Sequence, residues 1–105
     1  MTIIYQDKTY EVDFNRVKFS QVLKFQAQLK SGMTAKLNNE TNETTMEITE
    51  QYALKEGSVI TELIKIVFAI DFDLDELDTE TGMDAYQFIQ ESPFFMRLSA
   101  TKKKN

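Results

Sequence analysis

The run from residue 58 to residue 70 constrains this chain more than any other part of it. Ser58 stands where a helix N-cap belongs, and Val59, Ile60, Leu63, Ile64, Ile66, Val67, Phe68 and Ile70 follow. Only Thr61, Glu62, Lys65 and Ala69 interrupt, so more than half of the helix circumference is apolar. A helix apolar nearly all round has to be covered by several neighbours. With 105 residues the chain is one domain with a modest core, so internal neighbours are few. Two readings stay open: a central core helix, or a face shared with another protein.

The remaining elements are shorter. Ile3-Ile4-Tyr5 and Thr9-Tyr10-Glu11-Val12 are β-branched and aromatic around the polar turn Gln6-Asp7-Lys8, which predicts a β-hairpin. A first helix is expected from Ser20 as N-cap to Gly32 as stop. Its apolar stripe would comprise Phe19, Val22, Leu23 and Ala27, widened by Phe25 and Leu29. Residues 36–45 hold one apolar side chain in ten, too little to offset the entropy of ordering. A mobile loop over 33–46 is expected there. Met46 to Glu56 predicts a helix ending at Gly57, and Met83 to Glu91 a short one. Ser92-Pro93 opens a last helix with serine at the cap and proline at the first helical position. No internal repeat is visible. The expected fold is mainly α: one small helical domain over 1–105, with a short N-terminal β-hairpin and a disordered basic tail at 99–105.

Composition narrows the function. The chain has neither Cys nor His, which removes thiolate and imidazole ligands, cysteine nucleophiles and every Ser-His arrangement. The acidic run Asp71-Phe72-Asp73-Leu74-Asp75-Glu76 invites a calcium loop, yet the sixth position is Glu76 instead of glycine and the twelfth is Gly82 instead of glutamate. The glycines Gly32, Gly57 and Gly82 are isolated, so no phosphate-binding loop forms. The expectation is a binding protein, not an enzyme, with no metal and no cofactor. The first residues lack the basic and long apolar stretches of a signal peptide, and the longest apolar run, 66–70, is far short of a membrane span. A cytoplasmic protein that binds neither membrane nor nucleic acid is expected.

Charge is unevenly placed. Residues 1–36 carry six basic and three acidic side chains, 37–65 two basic and six acidic, 66–91 eight acidic and no basic, and 92–105 four basic. The net charge is −5, the wrong sign for general nucleic-acid binding. Such a layout suits head-to-tail contact between copies, and it also suits an ordinary acidic protein. Two apolar groups are candidate partner-binding surfaces: the stripe Ile60, Leu63, Ile64 and Val67, and the cluster Phe94, Phe95 and Met96. Three large apolar residues in a row cannot all face one core from a single helical turn, so at least one is expected at the surface. The alternative is that the cluster seals the end of the domain.

In this order the parts resemble the tail assembly chaperones of long-tailed phages that infect Gram-positive bacteria, the lactococcal kind especially. The likeness rests on the hairpin Ile3 to Val12, the Phe-rich first helix around Val17 to Phe25, the apolar helix, the Asp-Phe-Asp-Leu-Asp-Glu-Leu turn and the closing aromatic helix. It covers most of the chain outside 33–46. It implies a small, largely helical protein that self-associates into rings or spirals. Such a protein coats the tape measure protein in the host cytoplasm and is absent from the mature virion. Competing readings are an acidic inhibitor that mimics nucleic acid and a structural head–tail subunit.

Overall fold

The computed structural model of the chain describes residues 1–31, 33–38, 43–48 and 50–99, with side chains outside 32–51. Among them are two antiparallel hairpins and four α-helices: β1 (Thr2–Tyr5), β2 (Lys8–Glu11), α1 (Phe19–Lys30), β3 (Met33–Asn38), β4 (Glu43–Ile48), α2 (Glu50–Val67), α3 (Thr79–Gln90) and α4 (Pro93–Leu98). Short 3₁₀ turns stand at Phe14–Arg16 and Leu74–Glu76. The fold is mainly α with minor β, as expected. No helix among the described residues is long and apolar enough to cross a membrane.

The axis is α2. Its Val59, Ile60, Leu63, Ile64 and Val67 are buried together with Phe68 just beyond its end. They join one core with Ile3 and Tyr10 of the hairpin, Phe25 and Leu29 of α1, Ala85 and Ile89 of α3, and Phe95 and Leu98 of α4. Of the two readings of the greasy run, the central core helix is the one realised. The helix also differs in extent from expectation. It runs unbroken through Gly57 and Ser58, because burial along its whole inner face outweighs one glycine's cost of about 1 kcal/mol. It stops at Val67, and Ala69 takes a left-handed conformation (φ 52°). The Ala69 N–H then donates to the Ile66 carbonyl at 3.1 Å and the Ile70 N–H to the Lys65 carbonyl at 2.9 Å. That is a Schellman closure with alanine where glycine is the unstrained choice.

Gly57 and Ala69 each hold the residue suited to the other place. A Cβ on Gly57 would meet only the Tyr86 hydroxyl at 3.8 Å, an ordinary contact. Gly57→Ala and Ala69→Gly are each expected to stabilise by about 0.5–1 kcal/mol, additively, in urea unfolding. A destabilising Gly57→Ala would mean that α2 is not continuous there.

The N-terminal hairpin pairs Tyr5 with Lys8 across a two-residue turn, with Gln6 and Asp7 at φ 49° and 65°. Positive φ at both central positions is a type I′ turn, whose twist suits a tight hairpin. Ile3 and Tyr10 lie opposite one another, both buried on the side facing the core. The outer end is fastened to the segment after α2. Tyr5 stacks on Phe72 with centroids 3.9 Å apart, and its hydroxyl donates to Glu76. Asp71 accepts from the Tyr10 hydroxyl at 2.6 Å and pairs with Lys8 at 2.8 Å.

The Lys8 and Tyr10 hydrogen bonds hold the Asp71 carboxyl below its ordinary pKa, and hydrogen bonding from Thr81 does the same for Asp78. A depressed folded-state pKa contributes stability above the unfolded value, about 3.9, that is lost as pH falls through the folded one. Thermal midpoints should therefore drop as pH falls from about 5 to below 3, and Asp71→Asn should show a shallower drop. Parallel curves for the two proteins would remove Asp71 from the account.

The expected loop over 33–46 is instead mostly strand. β3 and β4 pair in register from Met33 opposite Ile48 to Asn38 opposite Glu43. Met33 pairs with Ile48 and Ala35 with Met46, while Leu37, opposite Thr44, continues the same alternation along β3. The mean apolar content hides this period of two. The helix expected from Met46 accordingly starts only at Glu50. Residues 39–42, Gly32 and the basic tail from residue 100 lie outside the described residues.

An internal repeat is present after all. Residues 11–31 and 71–91 follow the same plan at a displacement of 60 positions, with the same sequence of buried, half-buried and exposed positions throughout. In each arm an aspartate, Asp13 or Asp73, accepts from the N–H two residues on at 3.0 or 2.9 Å and opens a three-residue 3₁₀ turn. Val17 or Leu77 closes that turn, and a 12-residue helix follows, α1 or α3. Only Asp13 and Asp73 are identical between the arms, which is why letter matching misses the repeat. Both arms begin at the C-terminal end of α2. The second follows it directly. The first is held there by the Asp13 N–H and the Arg16 guanidinium, which both donate to the Val67 carbonyl.

Candidate partner-binding surface

In α1 the inward positions are Phe25 and Leu29, both buried, with Val22 half-buried beside them. That spacing, i, i+3 and i+7, turns the helix differently from the expected stripe. Phe19 is left 76% exposed and Leu23 50% exposed, and Ala27 is exposed as well. The helix also begins elsewhere than expected: its N-cap is Lys18, whose N–H donates to Gln21 Oε1 at 2.8 Å, instead of Ser20.

At the other end of the chain α4 starts as expected. Ser92 Oγ accepts from the Phe95 N–H at 3.1 Å, and Pro93 fills the first turn. Ser92 Oγ–H in turn donates to the Ile89 carbonyl at 2.6 Å, which fixes the angle between α3 and α4. The cluster Phe94, Phe95, Met96 is then divided by helical geometry. Phe95 is buried at 3% exposure, Phe94 is half-buried, and Met96 is 57% exposed. Phe94 is held in place by Phe14, with ring centroids 5.1 Å apart.

Between the two helices lies an open groove of about 320 Å³, lined by Phe19, Val22 and Gln26 of α1 and by Phe94, Arg97 and Leu98 of α4. Its floor is apolar and its polar groups sit on side chains that reach solvent. No buried side-chain nitrogen or oxygen among the described residues lacks a hydrogen-bond partner. The groove therefore offers apolar shape with a basic edge at Arg97. Such a surface suits the apolar face of another chain.

The expected partner surface is thus partly corrected. Ile60, Leu63, Ile64 and Val67 are 0 to 5% exposed and form the centre of the core, so none of them reaches a partner in the folded chain. Phe95 is core as well. Phe94 and Met96 remain at the surface, and Phe19, Val22, Gln26, Arg97 and Leu98 join Phe94 at the groove. The signal for α1 was legible: Val22, Phe25 and Leu29 make an unbroken inward row, whereas Gln26 and Lys30 break the row that starts at Phe19. Among the described residues no group of three or more Asp, Glu, His or Cys is placed to hold a metal ion.

Comparison with known proteins adds no relative: no family model, curated protein or solved structure matches the chain.

Proposed function

We propose that this chain is a tail assembly chaperone of a long-tailed phage. On this reading it acts without catalysis in the host cytoplasm, keeps the tape measure protein soluble while the tail tube forms, and leaves before the virion is complete. The observation that carries the reading is the open groove between α1 and α4, where Phe19 stands exposed beside Val22, Phe94 and Leu98. A long helical partner with an apolar stripe fits such a groove by laying three or four side chains into it. Each large side chain buried there contributes about 1.5–3 kcal/mol before association costs, enough for micromolar binding, and self-association along the partner multiplies it.

Acidic mimicry of nucleic acid is the weaker reading. The acids of 71–91 are exposed, but Asp71 holds Lys8 and Tyr10, Glu76 holds Tyr5, and Asp73 and Asp78 cap helical turns. Half of that charge is committed to the fold. Co-expression with a tape measure protein separates the readings. The chaperone reading expects that protein to move from the pellet to the soluble fraction and to co-purify with the chain. A tape measure protein that stays insoluble would overturn it.

A further inference from the structure

The two arms that share a plan differ in charge. The first, residues 11–31, carries four bases, Arg16, Lys18, Lys24 and Lys30, against two acids, Glu11 and Asp13, both ahead of its helix, whereas 71–91 carries eight acids and no base. The inversion falls on equivalent positions of the two arms: Arg16 against Glu76, Lys18 against Asp78, and Lys24 against Asp84. The outward apolar residues match too. Leu23 of α1 is 50% exposed, and its counterpart in α3, Met83, is 66% exposed. Both helices turn their inner rows to the core around α2, so each outer face lacks a cover within the described chain.

We infer that the outer face of α1 docks on the outer face of α3 of a second copy. Leu23 meets Met83 at the centre, and Lys24 and Lys30 lie against Glu80 and Asp84. The inference rests on the self-association included in the reading above, and it names the surfaces that carry it. The choice of partner follows from charge. An α1–α1 or α3–α3 contact between copies would bring like charges together, whereas α1 on α3 is complementary. A contact between two different faces is heterologous. It does not end at a dimer, but continues into a ring or an open spiral. It lies beside the groove on α1 without using the groove's lining, so a growing array leaves each groove free.

Sedimentation velocity on the whole chain tests this. The wild type is expected to associate at low ionic strength and to dissociate as salt is raised past the point where the screening length is about 10 Å. Lys24→Glu with Lys30→Glu, and separately Glu80→Lys with Asp84→Lys, should each weaken association at least about tenfold. Mixed together, the two variants should associate again, because each reversed face then meets an opposite one. If either double variant loses its helical circular dichroism, the mid-helix singles Lys24→Glu and Asp84→Lys take its place with the same expectation. A wild type monomeric at low salt, a variant that associates like the wild type, or a mixture that stays monomeric would each overturn the interface. Failure here is distinct from failure of the chaperone reading. A wild type that is monomeric at low salt yet keeps a tape measure protein soluble removes the interface alone, whereas an associating wild type beside a tape measure protein that stays insoluble removes the chaperone reading alone.

Discussion

Leu63→Ala is expected to cost about 2–5 kcal/mol, a large share of the roughly 5–15 kcal/mol that holds a domain of this size together. Leu63 is fully buried in the C-terminal half of α2 and belongs to the one core shared by side chains from α1, α3, α4 and the hairpin. Removing three carbons there leaves a cavity that rigid helices on several sides cannot close. Urea unfolding should show the midpoint falling with little change in slope, since the surface exposed on unfolding is nearly the same. A stable Leu63→Ala that had lost only its partner would restore the partner-surface reading of the stripe.

The second large effect separates two phenylalanines. Phe95→Ser should cost about 3–5 kcal/mol for the lost ring, and more for a hydroxyl buried without a designed partner, so it should unfold much of the population at 37 °C. Phe19→Ser should change stability by no more than about 0.5 kcal/mol, because the ring is already in water. Its effect should appear only with a partner, as a loss of tape measure protein from the soluble fraction. Circular dichroism melts alongside co-expression would show both. If Phe19→Ser melts like Phe95→Ser, the groove wall is core and the surface assignment fails.

These contrasts mark how far the sequence could be read. The fold class, the first hairpin and the Ser92-Pro93 helix start were legible because local chemistry decides them: β-branched pairs, turn residues and a cap. The continuity of α2 was not. Gly57-Ser58 is a valid local stop signal, and tertiary burial on both sides of it overrides that signal. β3 and β4 were hidden by a composition average, because Met33, Ala35, Met46 and Ile48 carry a period of two within polar surroundings. The candidate surface was half legible. Three adjacent apolar residues announced an exposed one in α4, and Met96 is that residue. Choosing between the two rows of α1 required noticing that one of them is interrupted by Gln26 and Lys30. The repeat lay beyond letter matching, since its signal is the order of buried and exposed positions.

The central claim is that the groove between α1 and α4 receives an apolar segment of the tape measure protein. Its most direct measurement is site-specific photocrosslinking in cells that co-express the two proteins, with a photoreactive phenylalanine analogue at position 19 and, as a control, at the exposed position Ile4 on the hairpin. The account predicts a covalent adduct to the tape measure protein from position 19 and none from position 4. An adduct of equal strength from both positions, or from position 4 alone, would contradict it.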